Sequence, residues 1–336
     1  MPHMVARLLG ILLLFGLTLP SASAAEYTLM PNPQTVHVGY FSAALKPVLT
    51  INSGDTVTIE SVAGLDPAII DASGVVPPSA VPEYVRAIGR DVTDRGPGPH
   101  ILTGPIFING AMPGDVLELR IQQIDLAIDY GNNVQRPYTG ALPDEFPGFF
   151  QRIIPIDRQA KTATLAPGVV VQVNRPFFGV MGVAPLPAMG RISSMPPGVH
   201  TGNLDNKDLI AGTSLYLPVY AVGALFSVGD AHAAQGQGEV DLSAIETGLR
   251  GKFQFIVRNA AEEVFDEMPP LVFFSVMFGI SAGPLAERND GLHVVGARNI
   301  DPQGKQVRDL VRAVHRQRDL KITKHLNLFG NEVLNF

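Results

Sequence analysis

Between Ser227 and Glu246 the chain reads SVGDAHAAQGQGEVDLSAIE, setting Asp230, His232, Gln235, Glu239, Asp241 and Glu246 among glycines at 229, 236 and 238. Carboxylates and an imidazole at this density can hold a cation or move protons. Asp230 and His232 are two apart, so on an extended backbone both side chains leave one face and reach one metal or one substrate. Gly236 and Gly238 allow tight bends that bring Gln235 and Glu239 back to them. A zinc-like ion on such a set keeps an open position for water and lowers the pKa of that water to about 7. Glu239 is then placed to carry a proton to a departing group. A polar surface turn is the competing reading of the same residues.

The elements around the stretch favour the first reading. It leaves TSLYLPVYAVGALF, a long apolar run, without the alternation that a following strand would need. Two other Gly-Asp pairs, Gly54-Asp55 and Gly114-Asp115, open directly into TVTIE (56–60) and DVLELRI (115–121). There the aspartate is expected to accept from nearby backbone at a strand-entry turn. Gly229-Asp230 has no such strand behind it. GVVVQV (168–173), SLYLPVYAV (214–222), KFQFIV (252–257) and LVFFSVMF (271–278) read as further strands. With 34 glycines and 28 prolines spread between these runs, the chain predicts a mainly β fold of sandwich or barrel type with few helices. One amphipathic helix is expected near the C-terminus, over 304–320, from the stripe Val307, Leu310, Val311 and Val314. Two β-rich domains are expected, 26–165 and 166–336, the second carrying most of the site. His37, His100 and His200 lie in or beside strands and loops, where each alone reads as structural.

Composition removes several chemistries. Cysteine is absent, so thiolate nucleophiles and thiolate ligands are excluded and any metal sits on oxygen and nitrogen. No G-x-S-x-G elbow, H-E-x-x-H helix, P-loop or G-x-G-x-x-G occurs. A net charge of −6 without a basic run gives no footprint for nucleic acid. At the N-terminus Arg7 precedes an apolar run from Leu8 to Leu19, then Pro20 and Ala22-Ser23-Ala24. That order predicts a cleaved signal peptide over 1–25, with the mature chain starting at Ala25 or Glu26. The run is short of the roughly 20 residues a spanning helix needs. A periplasmic or secreted protein with no stable membrane span after cleavage is therefore expected.

Four segments carry a resemblance. GPHILTGPIFINGAMPGDVLE, PFFGVMGVAP, HTGNLDNKDLIAGTSLYLPV and GALFSVGDAHAAQGQGEVDLSAIE, in that order between about residues 35 and 280, resemble the acetamidase/formamidase family, which includes simple-amide hydrolases and a γ-lactamase. The resemblance implies a sandwich-and-barrel β fold, a homo-oligomer, a small-molecule amide substrate and a divalent metal, zinc or else calcium. His100 matches the histidine before LTGP, and Asp205 the aspartate of the G-G-N-x-D motif. Asp230, His232, Gln235 and Glu239 match G-D-x-H-A-x-Q-G-x-G-E. On this basis His100, Asp205, Asp230 and His232 are assigned to the metal and Glu239 with Asp230 to catalysis. Gln235, Asn203 and Phe177 are assigned to the substrate. For Phe177 and Phe178, ordinary core packing is the alternative. Thr201 stands where the family usually has a glycine, Gln237 where it has an aspartate, and the likeness fades after about Gly279. A secreted, non-catalytic β-sandwich binding module on the same scaffold is the alternative function.

Overall fold

The structure, a computed structural model, describes residues 24–236 and 239–259. The expected strand at 271–278, the helix at 304–320, Gln237 and most of the leader lie outside the described residues. Within them the chain is mainly β, built as sandwich-like sheets and not as a closed barrel.

One sheet has five strands in the order Glu26–Leu29, Thr56–Glu60, Leu249–Arg258, Val116–Leu126, Ser214–Pro218. Its first pair is parallel and the others antiparallel. The alternation that predicted these strands places the inward residues: Val57, Ile59, Leu117, Leu119, Leu215, Leu217, Phe253 and Phe255 are all buried. They pack against Ile106, Ile108, Phe178, Met181, Phe226 and Val228 of the second sheet in one continuous core. Phe178 meets Phe253 and Phe226 meets Phe255, with ring centroids 5.4 and 5.3 Å apart. Both Gly-Asp turns form as expected. Asp55 accepts from the Asn52 amide and Asp115 from the Met112 amide, each at 2.8 Å, beside Gly54 and Gly114 with φ of 97° and 101°.

The second sheet has eleven strands. Phe226–His232 lies at its centre, with Phe177–Gly182 antiparallel on one edge. On the other edge the partner changes midway. Ile101–Asn109 pairs with it as far as Gly229, and Glu246–Thr247 pairs with Ala231 and His232. Asp230 sits at the changeover. The third sheet is the pair Tyr40–Ser42 and Arg191–Ser193. All three sheets mix strands from before and after residue 165.

Two α-helices that the sequence reading did not anticipate, Pro67–Ser73 and Glu83–Asp91, lie between the strands Thr56–Glu60 and Ile101–Asn109. The first has Asp66 capping the Ala68 amide at 2.9 Å, Pro67 in the first turn, and Gly74 at φ 65° after its end. Arg86 joins the two through a bidentate pair with Asp71 at 2.8 and 2.9 Å. Ile70, Val85 and Ile88 pack on Val36, Val38 and Ile101, behind the segment that leads out of His100.

Candidate active site

Five ionisable side chains, Asp230 and His232 of the central strand with Asp205, Glu239 and Glu246 from three other segments, converge where that strand changes partner. His232 is fully buried at the end of Phe226–His232, with Phe177 edge-on to its ring at 5.0 Å. Its Nε2 lies 3.3 Å from Asp230 Oδ2, 3.2 Å from Glu246 Oε2 and 3.8 Å from Glu239 Oε1. Asp205 joins from the turn after Thr201–Asn203, and its carboxylate groups with Asp230 and His232, the three donor atoms lying within 4.8 Å of one another. His232, Glu239 and Glu246 form a second such group. On the far side of Asp230, His100 presents Nε2 at 3.7 Å, while its Nδ1 is held by the carbonyl and hydroxyl of Ser194 at 3.1 and 2.9 Å.

The backbone is forced to make this arrangement. Asp205, Asp230 and Glu239 have φ of 43°, 56° and 41°, in the left-handed region that costs a non-glycine residue about 1 kcal/mol or more. Asp230 and His232 do converge, but through this kink at the partner change and not through the extended backbone that their spacing suggested. Thr201, in the place where the resemblance expects glycine, has a φ of 66°, the conformation glycine favours. Its Oγ1 donates to the Met181 carbonyl at 3.0 Å, which offsets part of that strain.

Gly179 faces Asp230 across the strand pair, between the registered partners Phe178↔Ala231 and Val180↔Gly229. A Cβ there would lie 2.5 Å from both Asp205 Oδ1 and Asp230 Oδ2 and 2.8 Å from His232 Cε1. Its carbonyl also accepts the amides of Leu204 and Asp205 at 2.8 and 3.1 Å, which fixes the turn presenting Asp205.

Gln235 sets the imidazole. Its Nε2 donates to the Asp205 carbonyl at 3.0 Å, so its Oε1 is the atom 2.9 Å from His232 Nδ1, and Nδ1 must carry the hydrogen. Nε2 is left facing the carboxylates, either as an N–H of an imidazolium or as a lone pair. Burial opposes a charge on His232, yet Glu246 and Asp230 outweigh it and hold the imidazole well above its ordinary range. Burial likewise opposes ionisation of Asp230, and His100 and His232 overcome it, holding that carboxyl below the usual range. Burial, with Asp230 and Glu239 alongside, raises Asp205 well above it. Glu239 is pushed up to about 8, by burial first; His232 opposes the rise, and Glu246 and Asp230 add to it.

Four carboxylates around one imidazole leave an excess of negative charge in a place where desolvating each ion costs several kcal/mol. Asp205 Oδ1, His232 Nε2 and Glu239 Oε1 are buried and make no hydrogen bond. Orphaned donor atoms of this kind, all oxygen and nitrogen, fit a divalent cation on Asp205, Asp230 and His232.

Of the residues predicted from sequence, Asp205, Asp230, His232, Gln235 and Glu239 meet. His100 faces Asp230 but stands outside both compact groups. Asn203 donates its amide to the Met195 carbonyl at 2.9 Å. Phe177 is only 1% exposed and backs the imidazole. Glu246, to which the sequence reading assigned no role, caps the Ala244 amide through Oε1 at 2.9 Å, and its Oε2 is the carboxylate oxygen nearest His232. Gly179 and Ser194 carried no signal as site residues. A cavity of about 470 Å³ between the two helices and the Pro99 turn is separate from the cluster: Pro99 and Ile101 line it, and His100 does not.

The profile of the Acetamidase/Formamidase family matches residues 32–194 and 188–332. The acetamidase of Mycolicibacterium smegmatis is 27% identical over 220 residues, which cover 47% of this chain and 54% of that one, so the chain spans about half its length. The formamidase of Methylophilus methylotrophus is 25% identical over 292 residues, covering 69% and 67%. Among solved structures, a predicted acetamidase/formamidase from Thermoanaerobacter tengcongensis is similar with a TM-score of 0.57 at 28% identity, over 70% of this chain and 71% of that one. A γ-lactamase from Delftia acidovorans shares the fold, with a TM-score of 0.56 at 24% identity over 70% and 68%.

Proposed function

Because the chain belongs to the acetamidase/formamidase family, we propose that it hydrolyses a small carboxamide, formamide- or acetamide-like or a γ-lactam, to the carboxylate and ammonia or an amine. The observation that carries this reading is the buried meeting of Asp205, Asp230, Glu239 and Glu246 on the imidazole of His232. A divalent cation on Asp205, Asp230 and His232, zinc before calcium, supplies Lewis acidity toward an amide oxygen or a water when bound.

The chain's own groups supply the proton transfers. An amide nitrogen leaves poorly unless it is protonated. Glu239 has a carboxyl that burial raises above its ordinary range, toward the pH at which one group both accepts and donates a proton. Its Oε1 is free of hydrogen bonds and aimed into the cluster, so it takes a proton from the attacking water and returns it to the departing nitrogen. Glu246 holds His232 from the opposite strand, and Gln235 fixes which imidazole nitrogen faces the reaction. His100, braced by Ser194, holds Asp230 ionised beside the substrate. The reaction takes place outside the cytoplasm on this reading, as the leader sequence supports.

Product release from formamide, acetamide and a γ-lactam, with and without a chelator, tests the proposal. Ammonia or ring-opened amino acid formed with equimolar carboxylate is expected from at least one. No release from any of them, by protein of full cation content, would leave the chain as a binding module on an amidase scaffold.

A further inference from the structure

We propose that the chain is cut between Ala24 and Ala25 and that the α-ammonium released there forms an ion pair with the buried carboxylate of Asp55, fixing the new N-terminus in the five-stranded sheet. The sequence A-S-A at 22–24 satisfies a signal peptidase, and spacing alone permits a start at Ala25 or at Glu26. The geometry selects Ala25. Its nitrogen lies 2.8 Å from Asp55 Oδ1, and its carbonyl accepts the Thr56 amide at 2.9 Å. From there Glu26–Leu29 runs parallel to Thr56–Glu60. Ala24, one residue earlier, is exposed.

Asp55 makes this more than a terminal hydrogen bond. It is 3% exposed, and among the described residues its carboxylate is held by two backbone amides, those of Ala25 and Asn52, with no basic side chain paired to it. A buried carboxylate with only neutral donors is costly beside one with a counter-charge. Hydrolysis of the Ala24–Ala25 bond by the peptidase places the water's hydroxyl on the Ala24 carbonyl carbon and leaves the nitrogen of Ala25 as an amine. That amine is protonated at neutral pH. The same atom, 2.8 Å from Oδ1, then changes from an amide donor into a cation, and the hydrogen bond becomes charge-assisted. A start at Glu26 would remove both bonds that Ala25 makes.

The test uses residues 25–336 in two forms, one with a free Ala25 amine and one acetylated there, each with Asp55 and with Asp55→Asn. With Asp55, the free-amine form is expected to melt about 4 °C higher at pH 7. Pairing raises the α-amino pKa above its unfolded value of about 8. The difference is therefore complete below pH 8 and lost as pH rises through the higher folded value. Asp55→Asn should abolish the difference while keeping an acceptor for the Asn52 amide. Equal melting of the two Asp55 forms at pH 7 would overturn the ion pair, and that comparison does not depend on the variant folding. Exported full-length chain whose N-terminal sequence begins anywhere other than Ala25 would overturn the cleavage site.

Discussion

Glu239 and Glu246 approach the same imidazole nitrogen, yet their environments give them different work. Glu246 spends Oε1 on the Ala244 amide and pairs by register with His232, whereas Oε1 of Glu239 has no hydrogen bond. Glu239→Gln is therefore expected to retain cation and fold and to lose turnover by about 10²-fold or more, with KM changed far less. Steady-state kinetics beside a melting curve measure this, and near-normal kcat in that variant would move the proton transfer to Glu246. Asp205→Ala should instead lower bound cation and activity together, since an open-sided site has few ligands to spare; metal analysis of the variant checks it. Asp230 and His232 were legible as a pair of site residues, but they meet through the left-handed turn at Asp230 and not through the shared face that a spacing of two suggests. Glu246 was less legible, because its approach depends on a register pairing that local sequence does not encode. Gly179 was invisible for the same reason: its importance lies in what its missing side chain leaves open.

At the level of elements, the site is a seam where Phe226–His232 exchanges one neighbour for another, and Gly179 keeps the opposite strand clear of it. Gly179→Ala is expected to abolish cation binding and turnover, because strand backbone cannot retreat from oxygens 2.5 Å away without moving Asp205 or Asp230. The far-ultraviolet spectrum should stay that of a β protein. Wild-type turnover in Gly179→Ala would contradict the account of the seam. The turn at Gly114-Asp115 gives the contrasting case, with Asp115→Ala expected to lower the melting temperature and leave turnover per folded molecule intact. Thr56–Glu60, Val116–Leu126, Ser214–Pro218 and Leu249–Arg258 were readable from alternation and the two Gly-Asp turns from their position, whereas the central strand Phe226–His232 was not, because its residues do not alternate. The helix Pro67–Ser73 also had its signs in the sequence, Asp66 and Pro67 before it and Gly74 after. It is so short that no apolar stripe develops along it, and periodicity passes over it.

Over the whole molecule, burial of neutral histidines away from the cluster makes stability depend on acid. His37, bonded to Ser227 at 2.9 Å, and His200, against Phe41 at 4.9 Å, are each lowered by burial to about 4. The unfolded chain binds their protons at about 6.5, so the stability they contribute is present above pH 6.5 and is lost as pH falls toward 4. Each accounts for a loss of about 2 kcal/mol between pH 7 and pH 5. Raised carboxyls such as Glu239 act in the opposite sense, so the clean comparison is with His37→Asn, whose stability in denaturant should fall by about 2 kcal/mol less over that interval. An identical pH dependence in that variant would mean that His37 is not buried as a neutral ring. Sequence conveyed a mainly β molecule of sandwich or barrel type, and the choice of sandwich came with the fold. The crossing of all three sheets over residue 165 came only with the fold, because long-range pairing leaves no local mark.

The central claim is that one cluster, neutralised by a cation, cleaves an amide. Its most direct measurement is amide turnover by protein stripped with a chelator and then titrated with zinc. Turnover that disappears with the metal and returns in proportion to added zinc, reaching its plateau near one equivalent per chain, is the predicted result. Undiminished turnover by protein free of metal would contradict it.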